Sequence, residues 1–161
     1  MIYTAHYASP LGGMTLTSDG TALTGLYFDD EKDCPPKTHT HRKARPLFRT
    51  VKAWLDLYFS EMEPDFMPPL APVGTTFQQA VWEILKTIPY GEITTYGAIA
   101  KQLEKDTGRR MSAQAVGGAV GRNPISILIP CHRVIGANGS LTGYAGGLDK
   151  KEYLLELEGI I

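Results

Sequence analysis

The chain has 161 residues, a net charge of −1, 43% hydrophobic and 20% charged residues, which is ordinary globular composition and excludes disordered, collagen-like or supercharged chains. That length supports one sizeable domain or two small ones. Two cysteines make no disulfide framework, the start Met1-Ile2-Tyr3-Thr4-Ala5-His6 shows no export signal, and no apolar run is long enough for a bilayer; no membrane association and a reducing, cytoplasmic setting are therefore expected.

Residues 2–9, 13–18 and 22–28 read as short strands, with Gly12-Gly13 and Asp19-Gly20 as turns, and predict an antiparallel meander. Residues 29–46 are polar, with Pro35-Pro36, and read as a loop. Cys34, His39 and His41 within it are residue types that zinc accepts, but their spacing fits no standard site, so no metal is expected. Leu47, Val51, Trp54-Leu55 and Tyr58-Phe59 recur at helical spacing. The Pro-rich stretch from Glu63-Pro64 to Pro72 reads as irregular and marks a boundary. It separates an N-terminal α/β support domain, 1–72, from a C-terminal domain, 73–161.

Beyond the boundary, Thr75 and Gln78 form a capping-box pattern for a helix running through Ile88. Pro89-Tyr90-Gly91-Glu92 is a turn. Tyr96 to Glu104 and Ser112 to Val120 follow as two short helices joined by a polar loop, the pattern of a helix-turn-helix. Ala113, Ala115, Gly117 and Gly118 on the second offer little side chain for reading major-groove edges. Small residues there suit a narrow minor groove or tight helix packing. The last helix is predicted to start near Asp149, with Glu152 completing a second capping box. Glu158 falls at its C-terminal end, where the helix dipole disfavours a carboxylate, and that placement invites a functional explanation.

Charge is uneven. Residues 86–133 carry Lys86, Lys101, Lys105, Arg109, Arg110, Arg122 and Arg133 against Glu92, Glu104 and Asp106, whereas the flanking regions are acidic on balance. Such a basic segment suits a modest phosphate-contact surface, and an ordinary solvated face equally well.

The chemistry centres on Pro130-Cys131-His132-Arg133, set between Ile127-Leu128-Ile129 and Val134-Ile135. This apolar, β-branched run predicts a buried strand with Cys131 at its end. A thiol attacks only as thiolate, and a free thiol with a pKa of about 8.5 is mostly protonated at neutral pH, so a base is needed. His132 is the nearest candidate. Neighbours on a strand face opposite ways, so a bridging water or a turn would have to bring the two together. An inert buried cysteine beside a surface histidine is the alternative that the tetrapeptide alone leaves open.

The wider pattern resembles one family. Ala115-Val116-Gly117-Gly118-Ala119-Val120-Gly121-Arg122-Asn123-Pro124, then Ile129-Pro130-Cys131-His132-Arg133-Val134-Ile135, then Gly143-Tyr144-Ala145-Gly146-Gly147, and last Lys151-Glu152-Tyr153-Leu154-Leu155-Glu156-Leu157-Glu158-Gly159 resemble the O6-alkylguanine-DNA alkyltransferases. The match is close from about Thr75 to Gly159 and loose before it. It implies an α+β protein, with a small antiparallel sheet and helix followed by a mainly helical, winged-helix-like helix-turn-helix domain. It implies DNA repair by direct reversal: an alkyl group passes irreversibly from guanine O6 (and thymine O4) to Cys131, once per molecule, with the nucleotide flipped out. In that reading Glu158 orients His132, His132 activates Cys131, Tyr96 donates to the leaving base, and Asn123 bridges the helices to the active-site strand. Tyr144 would lie against the base. Ala113, Gln114, Ala115, Gly117, Arg122, Arg133, Ala145 and Gly146 would contact DNA or base. The implied partner is double-stranded DNA met in its minor groove by a monomer without a cofactor.

Three positions depart from the family pattern. Gln114 stands where an arginine finger is usual, Ala145 where some members have serine, and Ser126 where some have proline. The segment between Tyr96 and Gln114 is also a few residues longer. The competing classes are a non-catalytic lesion binder, which Cys131 argues against, and a Cys/His hydrolase, which needs an oxyanion hole.

Overall fold

A computed structural model of the chain describes residues 2–36, 44–141 and 143–161; His39 and His41 lie outside them. Two compact units emerge, Met1–Val73 and Gly74–Ile161.

The first unit holds strands β1 (Tyr3–Ser9), β2 (Gly12–Ser18) and β3 (Leu23–Phe28) in the antiparallel order β1-β2-β3. Tyr3 stands opposite Ser18, and Met14 opposite Phe28. Helix α1 (Arg45–Phe59) opens with proline in its first turn, where a missing N–H is harmless, and buries Leu47, Phe48, Val51, Trp54, Leu55 and Tyr58. The Pro-rich connector is more ordered than its composition suggests. Leu23 N donates to Pro69 O at 2.9 Å and Ala71 N to Leu23 O at 2.8 Å, so Leu70 extends the sheet by one parallel bridge. Proline lacks only its own N–H, and the carbonyl of Pro69 is free to accept.

The second unit contains helices α2 (Thr76–Leu85), α3 (Tyr96–Thr107), α4 (Ala113–Gly121) and α5 (Leu148–Leu157). Thr75 and Gln78 close the capping box expected of them. Thr95 caps α3 and Ser112 caps α4, each accepting from the amide three residues on. Gly108, in the left-handed region at φ +71°, ends α3. Val81, Trp82 and Leu85 of α2 are buried, as are Ile99, Ala100 and Leu103 of α3 and Val116, Ala119 and Val120 of α4. Each large apolar side chain so buried contributes about 1.5–3 kcal/mol. Trp82 Nε1 donates to Ala119 O at 2.9 Å, tying α2 to α4. No described helix is long and apolar enough to cross a membrane.

Two expectations are corrected here. The second capping box does not form: α5 is capped by Gly147 with no side-chain hydrogen bond, and Asp149 lies inside the first turn, where it offers only its charge to the dipole. Nor is Cys131 at the end of a strand. Residues Cys131–Arg133 form a 3₁₀ turn, and only Val134–Ile135 that follow are strand, β5. Upstream, the amides of Leu128, Ile129 and Cys131 are used by Ser126 O, Ile125 O and Ile129 O in tight turns, and Ile127 sits at φ +71°. The run is apolar because it is buried, not because it pairs.

Candidate active site

Strand β5 pairs in parallel with β4 (Thr94–Thr95), Thr94 opposite Val134 and Thr95 opposite Ile135. This two-residue ladder sets the start of α3, and so Tyr96, beside the chain that leaves the Cys131 turn. In a 3₁₀ turn successive side chains are about 120° apart rather than opposed. The turn thus supplies the geometry that a strand would have denied to Cys131 and His132.

Asn123 braces the loop leading into that turn. Its Nδ2 donates to Ile125 O at 3.1 Å and to Ile129 O at 2.8 Å, and its Oδ1 accepts from Ile125 N at 3.0 Å. Cys131 is 7% exposed and His132 wholly buried. His132 Nε2 lies 2.5 Å from Glu158 Oε2. The other carboxylate oxygen, Oε1, accepts from Arg133 Nε at 2.8 Å and from Gly91 N at 3.0 Å. Burial pushes the His132 imidazole below its ordinary 6.5, outweighing the upward pull of the Glu158 hydrogen bond and charge; Arg133 and Lys151 press it down further. That shift favours the neutral ring, and a neutral ring set against a carboxylate donates from Nε2–H.

Lys151, on α5, is fully buried and donates from Nζ to Val134 O at 2.6 Å. Burial lowers its ammonium's pKa, and the Cys131 sulfur opposes that shift by favouring a cation beside it. Reasoning from sequence missed this residue. The signal was there: Lys151, Leu154, Leu155 and Glu158 recur at i, i+3, i+4 and i+7 and so share one helix face, and all are buried.

A groove of about 600 Å³ is lined by Tyr96, Ala113, Gln114, Gly117, Gly121, Gly143, Tyr144 and Ala145. A Cβ on Gly117 would stand 3.7 Å from the Tyr96 ring, and one on Gly143 would stand 3.9 Å from its hydroxyl. Glycine at both positions keeps the space before Tyr96 open. A larger groove of about 890 Å³, between α2 and α3, contains none of these residues, and Cys131 is in the lining of neither. Tyr96, Gln114 and Tyr144, the residues expected to meet the base, line the smaller one. Ala115 and Arg122 are exposed on or just after α4, outside the groove lining, and Gly146 is half-buried in the turn after Ala145.

One assigned role changes. Arg133 was expected to contact DNA, yet it is buried, bonded to Glu158 and, from Nη1, to Ile88 O at 2.7 Å. At 7% exposure, with Nε and Nη1 turned inward to these partners, the guanidinium offers little surface to a phosphate. In the first unit, half-buried Cys34 makes a long contact of 3.7 Å to Pro35 O. Among the described residues, no three His, Cys, Asp or Glu side chains gather as a metal would require.

Comparison with known proteins supplies the context. Residues 76–160 match the family "6-O-methylguanine DNA methyltransferase, DNA binding domain", and residues 2–72 match its "ribonuclease-like domain". A methylated-DNA–protein-cysteine methyltransferase of Haemophilus influenzae is 45% identical over 161 residues, 99% of this chain and 87% of that one. One from Methanosarcina acetivorans is 46% identical over 158 residues, covering 98% and 99%. Among solved structures, the Mycobacterium tuberculosis OGT in complex with DNA is similar at a TM-score of 0.82 and 42% identity, covering 97% of this chain and 92% of that one.

Proposed function

The chain belongs to the 6-O-methylguanine DNA methyltransferase family, and from that premise we propose that it repairs O6-alkylguanine in double-stranded DNA by moving the alkyl group irreversibly to Cys131. The observation that carries this reading is the 2.5 Å contact between a buried carboxylate and a buried imidazole, on the residue next to a buried thiol.

His132 takes the Cys131 proton through a bridging water. The thiolate then attacks the alkyl carbon, the S–C bond forms, and the C–O6 bond breaks with its electron pair passing to guanine. The proton given up by the thiol is returned to guanine N1 by way of His132 and solvent, and Tyr96 donates a hydrogen bond to the base as negative charge develops on it. Electrostatics favour the reactive form. Arg133 and Lys151 bring two positive charges against the single carboxylate of Glu158, so the surroundings of Cys131 carry excess positive charge that favours its thiolate.

Guanine O6 is inaccessible inside a duplex, so the nucleotide is flipped into the groove before Tyr96, with Tyr144 against the base. Beside Gln114, the exposed residues Ala113, Ala115 and Gly118 of α4 are small enough for that helix to enter the minor groove. One chain suffices as a monomer, since residues 88–158 of a single unit contribute every group of the site, and a reducing cytoplasm would keep the thiol free. Thymine O4 adducts offer the same electrophilic carbon and are secondary substrates.

A thioether offers no good leaving group, so each molecule acts once. Excess O6-methylguanine duplex mixed with a fixed amount of protein should yield repaired DNA that plateaus at one lesion per protein. Mass spectrometry should find one added methyl on the peptide containing Cys131. Cys131→Ser should abolish transfer with an unchanged circular dichroism spectrum. Label on Cys34, or product exceeding protein, would overturn the assignment.

A further inference from the structure

Arg133 is the buried cation beside the nucleophile that neither gives nor takes a proton in the transfer step. It is 7% exposed, and its guanidinium reaches in two directions at once. Nε donates to Glu158 Oε1 at 2.8 Å, Nη1 donates to Ile88 O at 2.7 Å, and the guanidinium carbon lies 5.7 Å from the Tyr90 ring centroid. Gly91 N, from the same 88–91 turn, gives Glu158 Oε1 a second donor at 3.0 Å. The two carboxylate oxygens therefore have separate duties. Oε1 is held by the cation and the turn, and Oε2 meets His132.

We propose that Arg133 is a positioning residue of the transfer site: by clamping Glu158 to the 88–91 turn it reserves one carboxylate oxygen for His132 and fixes the ring with Nε2–H toward that oxygen and Nδ1 as the basic nitrogen. The proposal rests on the alkyl-transfer reading above.

Charge balance explains why a cation is needed here. A carboxylate in the interior requires a counter-charge. Facing His132 are Cys131 and Arg133 from its own turn and Glu158 and Lys151 from α5, with Tyr90 against Arg133. Lys151 is directed at Val134 O. Without Arg133, the nearest group able to neutralise Glu158 by gaining a proton is His132, and an imidazolium is no longer a base. Arg133 thus lets a carboxylate and a neutral imidazole coexist. Lysine would keep the charge, but its single nitrogen cannot match the fork that spans Glu158 and Ile88.

The test is the pH profile of single-turnover transfer from an O6-methylguanine duplex, measured for the wild type, Arg133→Gln and Arg133→Lys, with circular dichroism as a check on folding. In Arg133→Gln the acid limb should move up by about one pH unit or more, as expected on removing a positive charge from beside an imidazole. Transfer on that limb should be roughly tenfold slower. Arg133→Lys should keep its limb near that of the wild type, with a lower plateau. A slower variant whose limb overlays the wild type after scaling would reduce Arg133 to a structural role and overturn the clamp. Nitrogen-15 NMR of the wild-type His132 ring covers the case in which Arg133→Gln does not fold: a neutral Nε2–H ring at neutral pH is expected, and imidazolium there would overturn the proposal. A wild type that fails to alkylate Cys131 would sink the transfer reading and this inference with it, whereas an active wild type with an unmoved limb sinks this inference alone.

Discussion

Asn123 commits its whole side-chain amide to the backbone of the loop it introduces. Inside that loop Ile127 holds a left-handed conformation that a β-branched residue takes up at a cost of about 1–3 kcal/mol. The three hydrogen bonds from Asn123 are what offset that strain and deliver Cys131 to its turn. Asn123→Ala would take one of two donors from each of the carbonyls of Ile125 and Ile129 and the acceptor from the Ile125 amide. At about 1 kcal/mol for each lost bond, the protein should lose roughly 3 kcal/mol of stability, seen as a lower midpoint in urea unfolding, and transfer should slow with it. A loss under about 0.5 kcal/mol, the size of an ordinary surface change, would mean that water replaces the brace.

Helix α4 is the element on which DNA contact is staked. Its exposed face carries Gln114 and otherwise small residues, so few phosphates are neutralised there and binding should be weak. Gln114→Arg should tighten duplex binding and steepen the log–log salt dependence by about one unit, as read by fluorescence anisotropy across a salt series. Equal affinities and slopes for both proteins would show that the missing charge is irrelevant. The helices themselves were legible in sequence because their signals are local: Thr75 with Gln78 declares the start of α2, and apolar spacing marks α1. The turn at Cys131 was not, because periodicity reports burial and not φ, so a buried loop and a buried strand read alike. The β4–β5 ladder has two residues a side, drawn from distant stretches of chain, and leaves no pattern. That Arg133 lies deeper than a phosphate contact would suggest was hidden for a related reason: a count of charges along the chain contains no depth. Cys131, His132, Glu158 and Asn123 were recognisable as a set through resemblance, while Lys151 needed only the helix face it shares with Leu154.

Over the whole molecule, the chain divides its two tryptophans between its two units: Trp54 in the first, stacked on Tyr58 with centroids 5.4 Å apart, and Trp82 in the second. A methyl added to a cysteine that is 7% exposed has to displace its neighbours, and overpacking of this kind typically costs about 1–3 kcal/mol. The alkylated form should therefore melt below the unmodified one. The Trp82 indole, buried and bonded to the backbone of α4, turns that displacement into light. With Trp54→Phe removing the other emitter, the remaining fluorescence is a built-in optical gauge of α4. Its emission should shift to the red if alkylation loosens the helix and admits water to the indole, and should stay fixed if the added group is absorbed elsewhere. A protein that reacts once would then report, without any attached dye, that it has been used.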